Sequence, residues 1–386
     1  MNPPRPAGLP LTTVELSLRP RIKVLVIDDS AVARRMLAKV IAQDSRLEVV
    51  GTAPDALIAR NKIERLKPDV LTLDVEMPGM DGITFLGQLM RLRPMPVVMV
   101  SALTKAGASV TLQALELGAI DFVTKPAQGT PAGLNQFAHE IQRKIRIAAR
   151  AQIHLRPAQD IEPGFVKQSP IKACALPTTE RLIAIGASTG GTEAIREVLE
   201  KMPFDAPPIV IAQHIPANFS GPFARRLDER CAISVCVPED GQPIQQGHAF
   251  VAPGDRHLRV ERTRSGLVCR LDDGEPVNRH KPSVDVLFQS AAEHCGQKAI
   301  GILLTGMGAD GARGLKALRD LGAPTIAQDA ASSVVWGMPG EAVRMGAADF
   351  VLPLAEIADH GLRLALHGGR YASIKVLRQL SAVIAQ

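Results

Sequence analysis

The residues of this chain best suited to chemistry fall into two groups. Gly186-Ala187-Ser188-Thr189-Gly190 satisfies the G-x-S-x-G pattern and follows an apolar run at 182–185 that predicts a buried strand. A serine on a sharp strand-to-helix turn stands clear of its own backbone, with free helix-start amides beside it. A hydroxyl is a weak nucleophile by itself and needs a base, a group that orients the base, and donors for the oxyanion. His214 follows a second apolar run at 209–212, and Asp310 lies in the glycine-rich loop after a third, Leu303-Leu304-Thr305-Gly306-Met307-Gly308-Ala309-Asp310-Gly311. If the three strands deliver their ends to one edge of a sheet, Ser188, His214 and Asp310 form a nucleophile, a base and its orienter. Backbone amides near Met307 or Thr189 would then serve the oxyanion. Other readings stay open at this point. A glycine-rich turn after a strand also describes dinucleotide and methyl-donor pockets, although no acid of the required type follows a second strand. A histidine at a strand mouth also packs loops, and an aspartate before a helix is commonly its cap.

The second group is acidic. Val26-Ile27-Asp28-Asp29 and Leu73-Asp74-Val75-Glu76 each end an apolar run in carboxylates, Ser101 ends another, and Lys125 follows a fifth. In a doubly wound sheet of order 2-1-3-4-5, the first and third strands are neighbours, so Asp28, Asp29 and Asp74 converge at their carboxyl ends. Three such groups repel unless a hard cation such as Mg²⁺ sits among them. Asp74 can then act as a nucleophile toward a phosphoryl group, with Ser101 and Lys125 placed to bind the added phosphate.

The elements that must position these residues are readable. Strands are expected at 22–27, 47–51, 69–73, 96–100 and 121–123, and helices at 31–42, 56–66, 82–92, 109–117 and 134–149. Runs that are apolar throughout, alternating with helices, predict a parallel sheet covered on both faces. A second α/β pattern starts at Arg181, with further helices at 192–202, 282–295, 311–321 and 354–366. Short runs at 249–251, 257–260 and 267–271 suggest antiparallel strands. The fold class is therefore two doubly wound α/β domains: a five-stranded parallel one, then a mostly parallel sheet with an antiparallel addition. The expected division is a disordered leader at 1–20, a first domain at 21–140, a linker at 141–179, a second domain at 180–370 and a tail at 371–386.

Across 22–140 the pattern resembles the receiver domain of two-component response regulators. That resemblance implies that Asp74 is the phosphoacceptor. Asp29, Asp74 and the Glu76 carbonyl would bind Mg²⁺, Asp28 would act through water, and Phe122 would be the aromatic that changes rotamer on activation with Ser101 and Lys125. Across about 180–368 the chain resembles the catalytic domain of the chemotaxis receptor protein-glutamate methylesterases. The matching runs include 185–192 (IGASTGGT), 213–219 (QHIPANF), 223–227 (FARRL), 280–285 (HKPSVD) and 304–311 (LTGMGADG). This second resemblance implies a Ser188, His214, Asp310 triad with the Met307 amide in the oxyanion hole and no cofactor for the ester chemistry. Its implied substrates are glutamyl methyl esters, and some glutamines, on chemoreceptor cytoplasmic helices, and its phosphodonor is the histidine kinase of the chemotaxis pathway. Other classes to weigh are a regulator that binds through the 186–191 loop without chemistry, and an esterase with an inert receiver.

Composition narrows the classes further. Among 386 residues there are 45 Lys and Arg against 39 Asp and Glu, and aromatics make up only 3%. A net charge of +6 without interleaved aromatics or a recognition motif argues against nucleic acid as a partner. No run approaches the roughly 18 apolar residues of a membrane span, so no direct membrane insertion is expected. Prolines at 3, 4 and 6 occupy the place of a signal-peptide core. Five cysteines, an odd number without CxxC spacing, read as reduced thiols and point to the cytoplasm. His257, after Ala252-Pro253-Gly254, either faces substrate or holds a loop.

Overall fold

A computed structural model describes residues 20–101, 105–126, 131–152 and 181–367. The expected leader, most of the expected linker and the expected tail lie outside the described residues. The first domain runs β1 (Ile22–Ile27), α1 (Ala31–Ile41), β2 (Leu47–Ala53), α2 (Ala56–Leu66), β3 (Val70–Asp74), α3 (Gly82–Leu92), β4 (Val97–Ser101), α4 (Lys105–Glu116), β5 (Asp121–Thr124) and α5 (Pro131–Ala148). Its five strands are parallel in the order β2-β1-β3-β4-β5. β3 and β4 are buried at every position, which is why their sequences are apolar throughout rather than alternating. Three helices start on a side-chain oxygen that accepts a backbone N–H: Ser30 from Ala33, Asp55 from Ile58 and Asp81 from Thr84. Such caps contribute about 1 kcal/mol each and mark the strand-to-helix turns where the acids collect.

The second domain runs β6 (Leu182–Ala187), α6 (Gly191–Glu200), β7 (Ile209–Gln213), α7 (Ala217–Arg230), β8 (Ser234–Cys236), β9 (His248–Val251), β10 (His257–Thr263), β11 (Gly266–Asp272), α8 (Val284–Cys295), β12 (Ala299–Leu303), α9 (Ala312–Asp320), β13 (Thr325–Gln328), α10 (Met338–Arg344), β14 (Phe350–Leu352) and α11 (Leu354–His367). Seven strands form one parallel sheet in the order β14-β13-β12-β6-β7-β9-β8. The chain leaves β6 toward β7 on one side and leaves β12 toward β13 on the other. Strand order therefore reverses between these two neighbours, and a crevice opens at their carboxyl ends. Ser188 follows one of them and the 304–311 loop follows the other.

One expectation needs correction. The run at 249–251 is not antiparallel: β9 pairs in parallel with both β7 and β8. The antiparallel addition is the separate β10–β11 hairpin, paired from His257 with Asp272 to Thr263 with Gly266. A short apolar run between turns carries no information about strand direction. Helix α7, strands β8, β13 and β14, and helix α10 were not expected at all. Among the described residues no helix is long and apolar enough to cross a membrane.

The domains meet along α4 and α7. Glu116 takes a forked ion pair from Arg226 and a second contact from Arg230 at 3.2 Å. Phe122 of β5 stacks on Phe219 of α7, with ring centroids 4.3 Å apart.

Candidate active site

The serine loop is pinned from the ends of the two strands that flank β6. Ser188 N donates to Thr305 O at 3.0 Å, Gln213 Nε2 donates to Ser188 O at 2.9 Å, and Thr305 Oγ1 donates to Thr189 O at 3.0 Å. Two glycines permit the close packing. A Cβ on Gly186 would lie 2.0 Å from Val284 Cγ1, and Gly190 sits at φ +75°, which few other residues adopt. Neither the Thr189 nor the Met307 backbone N–H donates to any described residue. Both flank Ser188: Thr189 follows it in sequence, and Met307 follows Gly306, where an added Cβ would lie 2.8 Å from Ser188 Cβ.

The structure brings Ser188, His214 and Asp310 into one chain of contacts. His214 Nδ1 lies 3.1 Å from Ser188 Oγ, and His214 Nε2 lies 2.8 Å from Asp310 Oδ2. With Nε2–H donating to the carboxylate, Nδ1 keeps a free lone pair toward the hydroxyl. Asp310 does not cap its own helix, α9, whose N-cap is Gly311. Instead it caps α8 from outside. Its Oδ2 accepts Val284 N at 2.7 Å, and its Oδ1 accepts Asp285 N at 3.2 Å, Ser283 Oγ at 2.8 Å and Asn278 Nδ2 at 2.6 Å. Burial pushes this carboxyl upward, but the hydrogen bonds from His214, Asn278 and Val284 outweigh it and hold Asp310 well below the ordinary carboxylate range.

Sequence reasoning missed Asn278 and Ser283, and it gave His280 no role. The His280 ring stacks on His214 at 3.7 Å with an interplanar angle of 8°. Burial, and then the neighbouring His214, lower its pKa to about 3, so it stands as a neutral ring. His257 takes the bland alternative. It is buried, its Nε2 donates to Glu275 O at 3.0 Å, and its Nδ1 accepts Ser283 N at 3.0 Å, so it holds the loop that carries Ser283.

The first domain covers this site. Asp121 Oδ2 accepts Thr189 Oγ1–H at 2.8 Å, one residue from the serine. A cleft of about 210 Å³ is lined by Ser188, His214 and His280 on one side and by Asp121, Phe122 and Lys144 on the other.

The acids converge as well. Among the described residues, Asp28, Asp29 and Asp74 form one group whose oxygen atoms all lie within 4.8 Å of one another. Lys125 Nζ reaches Asp74 Oδ2 at 2.8 Å and Asp28 Oδ2 at 2.9 Å. Burial raises the Asp74 pKa above its ordinary value, with Lys125 offsetting part of the effect. For Lys125, burial works against the charge, but Asp74 and Asp28 more than restore it. An all-oxygen donor set with two buried acids and exposed Asp29 suits a hard divalent cation. Glu76 and Asp29 line the same hollow, which lies beside this group. Ser101 is buried and accepts Thr111 Oγ1–H at 2.8 Å.

A five-stranded parallel domain ending in an acid triad, joined to an α/β domain with a serine at its switch point, defines a response regulator with a hydrolase-type output domain. The response regulator receiver domain model matches residues 24–131, and the CheB methylesterase model matches 183–360. A protein-glutamate methylesterase/protein-glutamine glutaminase 1 of Xanthomonas euvesicatoria pv. vesicatoria is 54% identical over 353 residues, covering 90% of this chain and 99% of its own. One of Hydrogenovibrio crunogenus is 51% identical over 371 residues, covering 89% and 99%. The solved catalytic domain of Thermotoga maritima CheB methylesterase is 35% identical and covers 48% of this chain and 100% of its own, with a TM-score of 0.47. The response regulator domain of Thermotoga maritima CheB is 45% identical and covers 34% and 98%, with a TM-score of 0.32. The chain belongs to the protein-glutamate methylesterase/protein-glutamine glutaminase family.

Proposed function

We propose that this chain is a phosphorylation-controlled serine esterase that removes methyl groups from glutamyl esters on chemoreceptor cytoplasmic helices, and that it converts specific receptor glutamines to glutamate. The observation that carries the reading is the unbroken contact from Ser188 Oγ through His214 to Asp310, assembled from three strand ends. In the proposed reaction, Ser188 Oγ attacks the ester carbonyl carbon while His214 Nδ1 takes its proton. The Thr189 and Met307 amides hold the oxyanion. Collapse breaks the carbonyl–methoxy bond, and His214 returns the proton to the departing oxygen, releasing methanol. Water, deprotonated by His214, then cleaves the acyl-serine to leave glutamate and restore Ser188. A glutamine side chain follows the same course with ammonia as the leaving group.

On this reading Asp74 accepts a phosphoryl group from the chemotaxis histidine kinase in the cytoplasm, and Ser101 and Lys125 bind the phosphate. Asp29, Asp74 and the Glu76 carbonyl would hold Mg²⁺, with Asp28 acting through water, and the ion when bound would neutralise charge on the phosphoryl oxygens. The receiver contacts over Ser188 support inhibition relieved by phosphorylation, with Phe122 as the residue that repacks. Methanol release from methylated receptor membranes, with and without acetyl phosphate, tests the reading. Ser188→Ala is expected to abolish release; release at the wild-type rate would refute the assignment.

A further inference from the structure

The turn that carries Asn278 and His280 holds a third residue with no part in the triad. Val277 and His280 exchange two backbone hydrogen bonds, at 3.1 and 2.9 Å. Asn278 and Arg279 are left as the central pair of a tight turn, at φ 53° and 67°. Two successive left-handed residues define the turn type whose second position glycine usually takes, because a Cβ is strained there. Asn278 accounts for its own place: it donates to Asp310 and Asp285 and accepts from Arg313. Arg279 has no such account. It is exposed, and no described carboxylate pairs with it. Yet it lines the cleft that holds Ser188 and His214, where Lys281 is its cationic neighbour in sequence and Arg143, Lys144, Asp121 and Glu140 line the side formed by the first domain. A strained position that keeps an unpaired guanidinium at the mouth of a cleft is an observation from which function is properly inferred.

We propose that Arg279 is a specificity-determining residue that pairs with a carboxylate flanking the scissile ester, so that the enzyme favours esters set in acidic segments. The inference rests on the esterase reading above and names a feature of its substrate. A guanidinium fork matches a carboxylate with two parallel hydrogen bonds, and lysine cannot reproduce that geometry.

The test uses the full chain with Mg²⁺ and acetyl phosphate. Its substrates are a methylated receptor cytoplasmic fragment and the same fragment with every carboxylate within one helical turn of the methyl ester replaced by alanine. Wild type is expected to favour the acidic fragment roughly tenfold in kcat/KM, less at high salt. Arg279→Gln and Arg279→Gly erase the preference, chiefly through KM, and Arg279→Lys restores part of it. Arg279→Gly is also expected to raise the thermal midpoint by relieving the backbone, a combination that a turn-forming role alone does not produce. Equal rates on the two fragments in wild type, or a preference that survives in both variants, overturns the inference. So does a variant that only raises activity without acetyl phosphate, which would make Arg279 a receiver contact. Failure of wild type to release methanol from the acidic fragment refutes the esterase reading, and this inference falls with it.

Discussion

Asp310→Asn separates charge from shape at the heart of the site. Asp310 accepts three hydrogen bonds on Oδ1, from Asn278, Ser283 and Asp285, and two on Oδ2, from His214 and Val284. An asparagine must turn its NH₂ toward one of these groups. Facing His214 Nε2–H and Val284 N–H, it meets two donors, and only a reversed histidine tautomer relieves one of them. Facing the other group, it meets Ser283 Oγ, whose hydroxyl can rotate to accept, and it displaces the contacts from Asp285 N and from Asn278 Nδ2, an amide held in its orientation by Asp285 and Arg313. In this second orientation His214 keeps its tautomer and loses only the negative charge that stabilises the imidazolium formed during proton transfer. Two unit charges about 4 Å apart at an effective dielectric of about 20 attract by about 4 kcal/mol. At about 1.4 kcal/mol per decade, kcat for methanol release falls by about 10³. A reversed tautomer would push the loss nearer 10⁴. The assay is methanol release at saturating methylated receptor, with Ser188→Ala as the floor and circular dichroism to establish folding. A folded Asp310→Asn enzyme that loses less than tenfold would refute the charge argument.

Other perturbations address the receiver and the site's surroundings. Glu116→Gln removes the partner of Arg226 and Arg230 at the domain contact; losing about 1–2 kcal/mol of closure should raise methanol release without a phosphodonor by roughly 5–30-fold, and unchanged basal release would exclude this contact as a latch. EDTA or Asp74→Asn should abolish stimulation by acetyl phosphate while basal hydrolysis persists; stimulation that survives EDTA would remove the acids as a cation site. His280 is held near pKa 3 in the folded chain, against an ordinary value of 6.5. The unfolded chain therefore binds the extra proton, and stability is lost as pH falls from about 6.5 toward 3. His280→Gln should flatten the urea midpoint against pH in that window by up to one proton's share, and an identical slope would contradict the neutral stacked ring.

Much of this was legible because strands buried on both faces must be apolar throughout, and because Asp, Ser and Gly collect at their carboxyl ends. Ser188, His214 and Asp310 were each readable as residues at strand ends; their contact depends on the reversal of strand order between β6 and β12. Asn278 and Ser283 were not readable. They reach Asp310 from the connection between β11 and α8, and a carboxylate's hydrogen-bond partners leave no periodic trace. Helix α7 escaped notice because Pro222 lies inside it and breaks the helical reading, although it lacks only one amide donor. Strands β13 and β14, four and three residues long, are too short for their apolar character to stand out.

The placement of β5 ties the two halves together. At one end Lys125 contacts Asp74 and Asp28; at the other, Asp121 accepts the Thr189 hydroxyl proton. These contacts are separated by four residues, about 13 Å of extended chain. Between them Phe122 stacks on Phe219, while the buried Lys144 ammonium lies 5.0 Å from the Phe122 ring centroid and 2.9 Å from Asp121 Oδ1. A phosphoryl group on Asp74 would compete for Lys125 and so act on the end of this strand. β5 pairs with β4 in register from Asp121 to Thr124, so it moves most readily as a unit, and the Phe122 stack and the Asp121 hydrogen bond are loaded together. Thr189 is the residue whose amide is proposed to hold the oxyanion. On this argument the receiver does more than shield the serine: it grips the catalytic loop, and release would alter kcat as well as access.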